Sequence, residues 1–129
     1  MSDPVWLLEV AVLIAHEVSL ANFGGADGIR DQNLLESALA RPRNQFVYGT
    51  TGIPELAATY TAGIVKNHPF VDGNKRTGFL AGAAFLELNG LRLTATEPEA
   101  TQIILGLAAG EVSESQLAAW FREKSAKKG

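Results

Sequence analysis

Apolar residues run almost unbroken from Val5 to Ala15 and continue to Leu20, with Glu9 and His16 among the few polar interruptions. Pro4 suits a helix start, so a first helix is predicted from there to about Leu20, stopped by Asn22-Phe23-Gly24-Gly25. On it, Trp6 reads as a packing residue and His16 as a buried or partly buried one. Asp31 can cap a second helix through about Ala40, which the Arg41-Pro42 step is expected to end. Phe46-Val47-Tyr48 reads as strand-like, and Gly49-Thr50-Thr51-Gly52 as a turn. Apolar spacing predicts a third helix from Pro54 to about Asn67 and a fourth from Asn74 to Leu88, with Gly90 placed to end it. Gly78, Ala81, Gly82, Ala83 and Ala84 keep the fourth helix thin, which permits close packing and marks it as the expected centre of the fold. Leu91 to Thr94 reads as a short extended piece. Thr96 with Glu99 and Ser113 with Gln116 match capping boxes that open two further helices, to Ala109 and Phe121.

Composition narrows this pattern to one all-α globular domain over residues 1–129. At 129 residues, 47% hydrophobic and 19% charged, the chain can bury a core and is not of disordered type. The absence of cysteine excludes disulfides, thiol catalysis and cysteine-bound metal, and agrees with a cytoplasmic site of action. A net charge of -3 disfavours direct nucleic-acid binding, and Lys124, Lys127 and Lys128 read as a solvated tail. The Val5–Ala15 run is too short to cross a bilayer, and Met1-Ser2-Asp3 carries no positive charge of the kind that precedes a signal peptide.

The chemistry concentrates between the third and fourth helices, in His68-Pro69-Phe70-Val71-Asp72-Gly73-Asn74-Lys75-Arg76-Thr77-Gly78. A helix start near Asn74 presents unpaired backbone N–H groups and partial positive charge, an anion site. Gly73 lets a ligand approach the backbone, and Asn74, Lys75 and Arg76 add donors and cations, together suiting a polyphosphate. Asp72 supplies one hard oxygen donor of the kind magnesium takes alongside phosphate oxygens. A histidine ordinarily titrates near neutrality, at about 6.5, so His68 suits a general base. Lys66 and Asn67 stand just before the motif and are candidates to reach phosphate. The loop is not a P-loop, since no glycine stands at the earlier spacing and no Gly-Lys-Ser/Thr ending is present. His16 and His68 alone are too few for a zinc site.

The run His68 to Arg76 resembles the Fic family signature, and more closely its Doc (death-on-curing) branch, in which lysine follows the asparagine and Arg-Thr comes next. Weaker similarity covers Asn22-Phe23-Gly24-Gly25, Ala58-Thr59-Tyr60 and Gly110-Glu111-Val112-Ser113. AMP-transferring members carry glycine where this chain has Lys75 and a second arginine where it has Phe79. The resemblance implies a compact helical bundle with the signature loop between two central helices and a short flap. It implies His68, Asp72 and Lys75 as catalytic residues, with His68 as base on the target hydroxyl. Asp72 falls on magnesium, and Gly73, Asn74, Lys75 and Arg76 on ATP phosphates; Lys66 joins the phosphate-binding set from its position just before the motif, outside the resemblance. Phe46, Val47 and Tyr48 take the position of a target-docking flap. As function it implies a toxin of a toxin–antitoxin pair that transfers phosphate from Mg-ATP to a protein hydroxyl. The family target is elongation factor Tu, and the restraint is a cognate Phd-like antitoxin folding as a helix into a groove. AMP transfer, or a catalytically weak binding module, is the alternative.

Overall fold

The computed structural model describes residues 3–128; Met1, Ser2 and Gly129 lie outside them. Six helices are formed: α1 Glu9–Phe23, α2 Gln32–Val47, α3 Ile53–Asn67, α4 Asn74–Leu88, α5 Glu97–Ala108 and α6 Glu114–Glu123. Two short strands, β1 Leu91–Leu93 and β2 Ser125–Lys127, pair antiparallel with Arg92 opposite Ala126. The all-α expectation holds, with this small ribbon added.

The centre is α3, not α4. Every residue from Leu56 to Val65 is buried, and α3 lies against α2, α4 and α6. The small residues of α4 serve that contact. A Cβ on Gly78 would meet Val65 Cγ2 at 2.8 Å, and one on Gly82 would meet Thr61 Oγ1 at 2.2 Å and the Ala57 carbonyl at 3.2 Å. The Thr61 hydroxyl donates across the seam to the Gly78 carbonyl at 2.8 Å. Tyr60, Phe85 and Phe121 fill the space beside it.

Two helix ends differ from expectation. Residues 3–8 are not helical, although Pro4 stands among them. Asn89 holds this segment through both polar groups of Val5, and the Tyr60 hydroxyl accepts the Leu7 N–H at 3.1 Å. Burial pushes that hydroxyl's pKa up. Trp6, on this extended segment, packs between Phe46 and Phe85. These tertiary partners outweigh a weak local start signal.

The second difference is α2, which passes through Pro42 to Val47. Proline removes the N–H that would serve the Ala38 carbonyl. Leu35, Ala38 and Pro42 nevertheless form the buried face of α2, and Gly63 lets α3 come within van der Waals contact of Ala38. Packing along that face overrides the break. Phe46 and Val47 are therefore helical rather than strand-like.

Asp31 caps α2 as read, accepting the Leu34 N–H at 3.0 Å, and both capping boxes form at Thr96 and Ser113. The C-terminal lysines are not a free tail. Lys124 pairs with Glu99 and Lys128 with Glu87, while Lys127 lies in β2.

Two stability predictions follow from these contacts. Gly82→Ala raises helix propensity by about 1 kcal/mol, yet overpacking the seam costs about 1–3 kcal/mol. Chemical denaturation is expected to show net destabilisation; an unchanged or higher midpoint would contradict the close seam. The second concerns Glu99, whose pKa is lowered to about 2, first by the Lys124 hydrogen bond and then by Thr96. A lowered folded-state pKa gives stability that is present above the ordinary value of 4.5 and lost as pH falls towards about 2. Glu99→Gln should flatten the acid dependence of unfolding within that window, and an unchanged slope would contradict it.

Candidate active site at the start of α4

His68 ends α3 in the left-handed conformation, φ 50°, and is the one non-glycine with positive φ among the described residues. The following Pro69 disfavours a continued right-handed turn at His68. A left-handed β-carbon costs about 1–2 kcal/mol, so the surroundings must hold it there. Arg30 does this: Nε donates to the His68 carbonyl at 2.6 Å and Nη2 to the Asn67 carbonyl at 2.8 Å. A cation on the last carbonyls of a helix also suits its dipole. The Pro69 carbonyl accepts the N–H groups of Arg30 and Asp31, and Ile29 bridges Phe70. The His68 side chain is left exposed.

Asn74 is committed to the loop. Its Oδ1 accepts the Phe70 N–H at 2.9 Å and its Nδ2 donates to the Phe70 carbonyl at 3.0 Å, with the residue buried. The side chain, read in the sequence as a phosphate donor, thus braces the loop with its oxygen and one of its two N–H donors. Its backbone remains the first turn of α4. Gly73 precedes it at φ 78°, where a β-carbon would be strained.

Asp72 is exposed, with Oδ1 accepting the Gly73 N–H at 2.9 Å and Oδ2 the Ala26 N–H at 3.3 Å. Lys75 and Arg76 are exposed on the first turn of α4, and the Arg76 guanidinium lies 3.8 Å over the Phe23 ring. Lys66 is exposed in the last turn of α3. Among the described residues, none of these three cations has an acidic partner within salt-bridge distance. His68, Asp72, Gly73, Lys75, Arg76 and Lys66 are thus gathered around one helix junction. Asn67 is spent elsewhere, donating to the Leu34 carbonyl.

The flap residues are not gathered there. Asp31 and Leu34 at the start of α2 meet Pro69 and Asn67 at the end of α3, so the two helices run antiparallel. Phe46, Val47 and Tyr48 consequently lie beside the start of α3. The 15 residues of that helix separate them from His68 by about 22 Å. Sequence reading also missed two contributors. Arg30 gave no signal beyond its charge. His16 stood out only as a polar residue on an apolar helix; it is buried, stacked 3.9 Å from Phe70, with Nε2 2.8 Å from the Asp72 carbonyl.

An exposed histidine, one carboxylate, a helix N-terminus and cations without acidic partners among the described residues thus stand around one junction of a helical fold. The Fic/DOC family model matches residues 6–86, more than half of the chain, and the chain belongs to the Fic/Doc family. It is 30% identical over 112 residues to Protein kinase doc of Escherichia phage P1, covering 86% of this chain and 88% of that protein. It is 45% identical over 76 residues to Toxin Doc of Mycolicibacterium smegmatis, covering 57% of this chain and 58% of that protein. The shared stretch thus spans little more than half the length of Toxin Doc.

Asn74→Ala would leave both backbone groups of Phe70 without partners in a buried place, at a cost of about 1–3 kcal/mol. Faster hydrogen exchange at the Phe70 amide is expected. Unchanged protection there would show that the loop is held by other means.

Proposed function

We propose that this chain is a toxin enzyme that transfers the γ-phosphate of Mg-ATP to a hydroxyl of a protein in the cytoplasm. The observation that carries the reading is the junction itself: an exposed histidine at the end of α3 stands six residues before a helix start furnished with one carboxylate and with cations that have no acidic partner among the described residues. The name of the phage relative, a protein kinase, agrees with it.

Magnesium fits the donor set. Each Asp72 oxygen accepts one N–H and keeps a further lone pair. Among the described residues no cluster of three or more His, Asp or Glu side chains forms, so an all-protein cage is not offered. One carboxylate suits an ion shared with a phosphate chain. When bound there, magnesium would neutralise charge on the phosphates.

The protein's own groups would do the rest. The N–H groups of the first turn of α4 bind phosphate oxygens, and Lys75 and Arg76 balance their charge. His68 takes the proton from the target hydroxyl as its oxygen bonds to the γ-phosphorus, the bond to the bridging oxygen breaks, and ADP leaves. Phe79 supports phosphate over AMP transfer. Where the resemblance places a second arginine in AMP-transferring members, this ring packs towards Phe121 at 6.4 Å.

The proposed target is elongation factor Tu, in line with the family resemblance. Restraint is proposed to come from a separate Phd-like antitoxin that docks a helix. Val10, Ile14 and Val18, exposed at four-residue spacing along α1, suit an amphipathic helix.

The test is label transfer. With ATP labelled at the γ or the α phosphate and elongation factor Tu as acceptor, γ-label alone should reach protein. His68→Ala should reduce transfer by about 10²–10⁴-fold while remaining folded. Transfer of α-label would make the protein a nucleotidyl transferase, and undiminished transfer by His68→Ala would remove this residue from the chemistry.

A further inference from the structure

The first helix and the loop after it lie outside the motif, yet they reach Asp72 at two points, the helix at its carbonyl and the loop at its carboxylate. His16 Nε2 stands 2.8 Å from the Asp72 carbonyl oxygen. A carbonyl only accepts, so Nε2 must carry the proton and donate. Ala26, in the loop that follows α1, donates its N–H to Asp72 Oδ2 at 3.3 Å. That approach needs Gly25, where a Cβ would sit 3.0 Å from the same oxygen, and Gly25 adopts φ 122°. The imidazole is also fixed in plane: it stacks on Phe70 at 3.9 Å with 11° between the rings. Phe70 in turn is clamped on both backbone groups by Asn74. His16 is buried on α1 with Val12 and Ser19, and a buried polar ring is costly unless it is hydrogen-bonded, as Nε2 is here.

We propose that His16 is a positioning residue: its Nε2–H fixes the peptide plane of Asp72, so that the carboxylate is held at the mouth of the α4 N-terminus ready for a phosphate-bound magnesium ion. The inference rests on the reading of Asp72 as the magnesium carboxylate. Fixing one peptide plane fixes both neighbours. Asp72 supplies the carboxylate, and its carbonyl belongs to the peptide whose N–H is that of Gly73, the residue that enters α4. A loosened plane would let the carboxylate and the first turn of α4 drift apart, weakening magnesium-dependent binding without touching the base, His68.

The experiment compares His16→Phe, which keeps a ring on Phe70 and removes the donor, with His16→Gln, which returns an N–H donor without the ring. Mg-ATP binding is measured by calorimetry across magnesium concentrations, and folding is followed by thermal melting. The expected result is about tenfold weaker binding and a higher magnesium requirement for His16→Phe, with substantial recovery in His16→Gln. Equal binding by wild type and His16→Phe overturns the proposal, as does equal impairment of both variants. If wild type itself binds no Mg-ATP, the reading of the site fails instead. A long-range proton–nitrogen correlation on the wild-type protein needs no variant. It should show His16 as the Nε2–H tautomer, and the Nδ1–H tautomer would overturn the donor role.

Discussion

The close approach of α3 and α4 is the constraint on which the rest depends. Glycines at 78 and 82 remove the side chains that would otherwise separate the helices, and Thr61 closes a hydrogen bond across the gap. Because the two helices are locked at this distance, the six residues 68–73 between them have little freedom. Their path is short, and it is held from both sides: Asn74 of α4 holds Phe70, while Gly28, Arg30 and Asp31 reach His68, Pro69 and Val71 and His16 reaches Asp72. The site is thus a consequence of a tight helical seam, with its strain confined to His68.

The loop's polar groups divide the work. Buried Asn74 and exposed Arg30 both act on backbone, whereas the side chains of His68, Asp72, Lys75 and Arg76 remain exposed. Such a division suits preorganised binding, in which donors are aimed before the charge arrives. Contacts to this loop also come from α1 and the loop after it, far away along the chain. His16 and Ala26 meet Asp72 across 56 and 46 residues of sequence.

The central helices and the motif were legible because their signals are local. Capping boxes, the glycine-rich face of α4 and the helix start at Asn74 all depend on residues within a few positions of one another. What failed depended on distant partners. Pro42 reads as a stop, but the buried face shared with α3 carries α2 past it. Pro4 reads as a start, but Asn89 and Tyr60 hold that segment extended. Phe46, Val47 and Tyr48 have strand-like side chains, yet the antiparallel course of α2 and α3 sends them to the end remote from His68. The small-residue pattern rightly indicated close packing and wrongly indicated which partner sits at the centre: the thin helix is the one that fits against the buried α3.

The most direct measurement of the central claim is a titration of the isotopically labelled protein with Mg-ATP, followed by amide chemical shifts. The account predicts that the largest changes fall on Gly73 to Thr77 and on His68 and Asp72, saturating together with a single affinity. Changes confined to other surfaces, with the start of α4 unmoved, would contradict it.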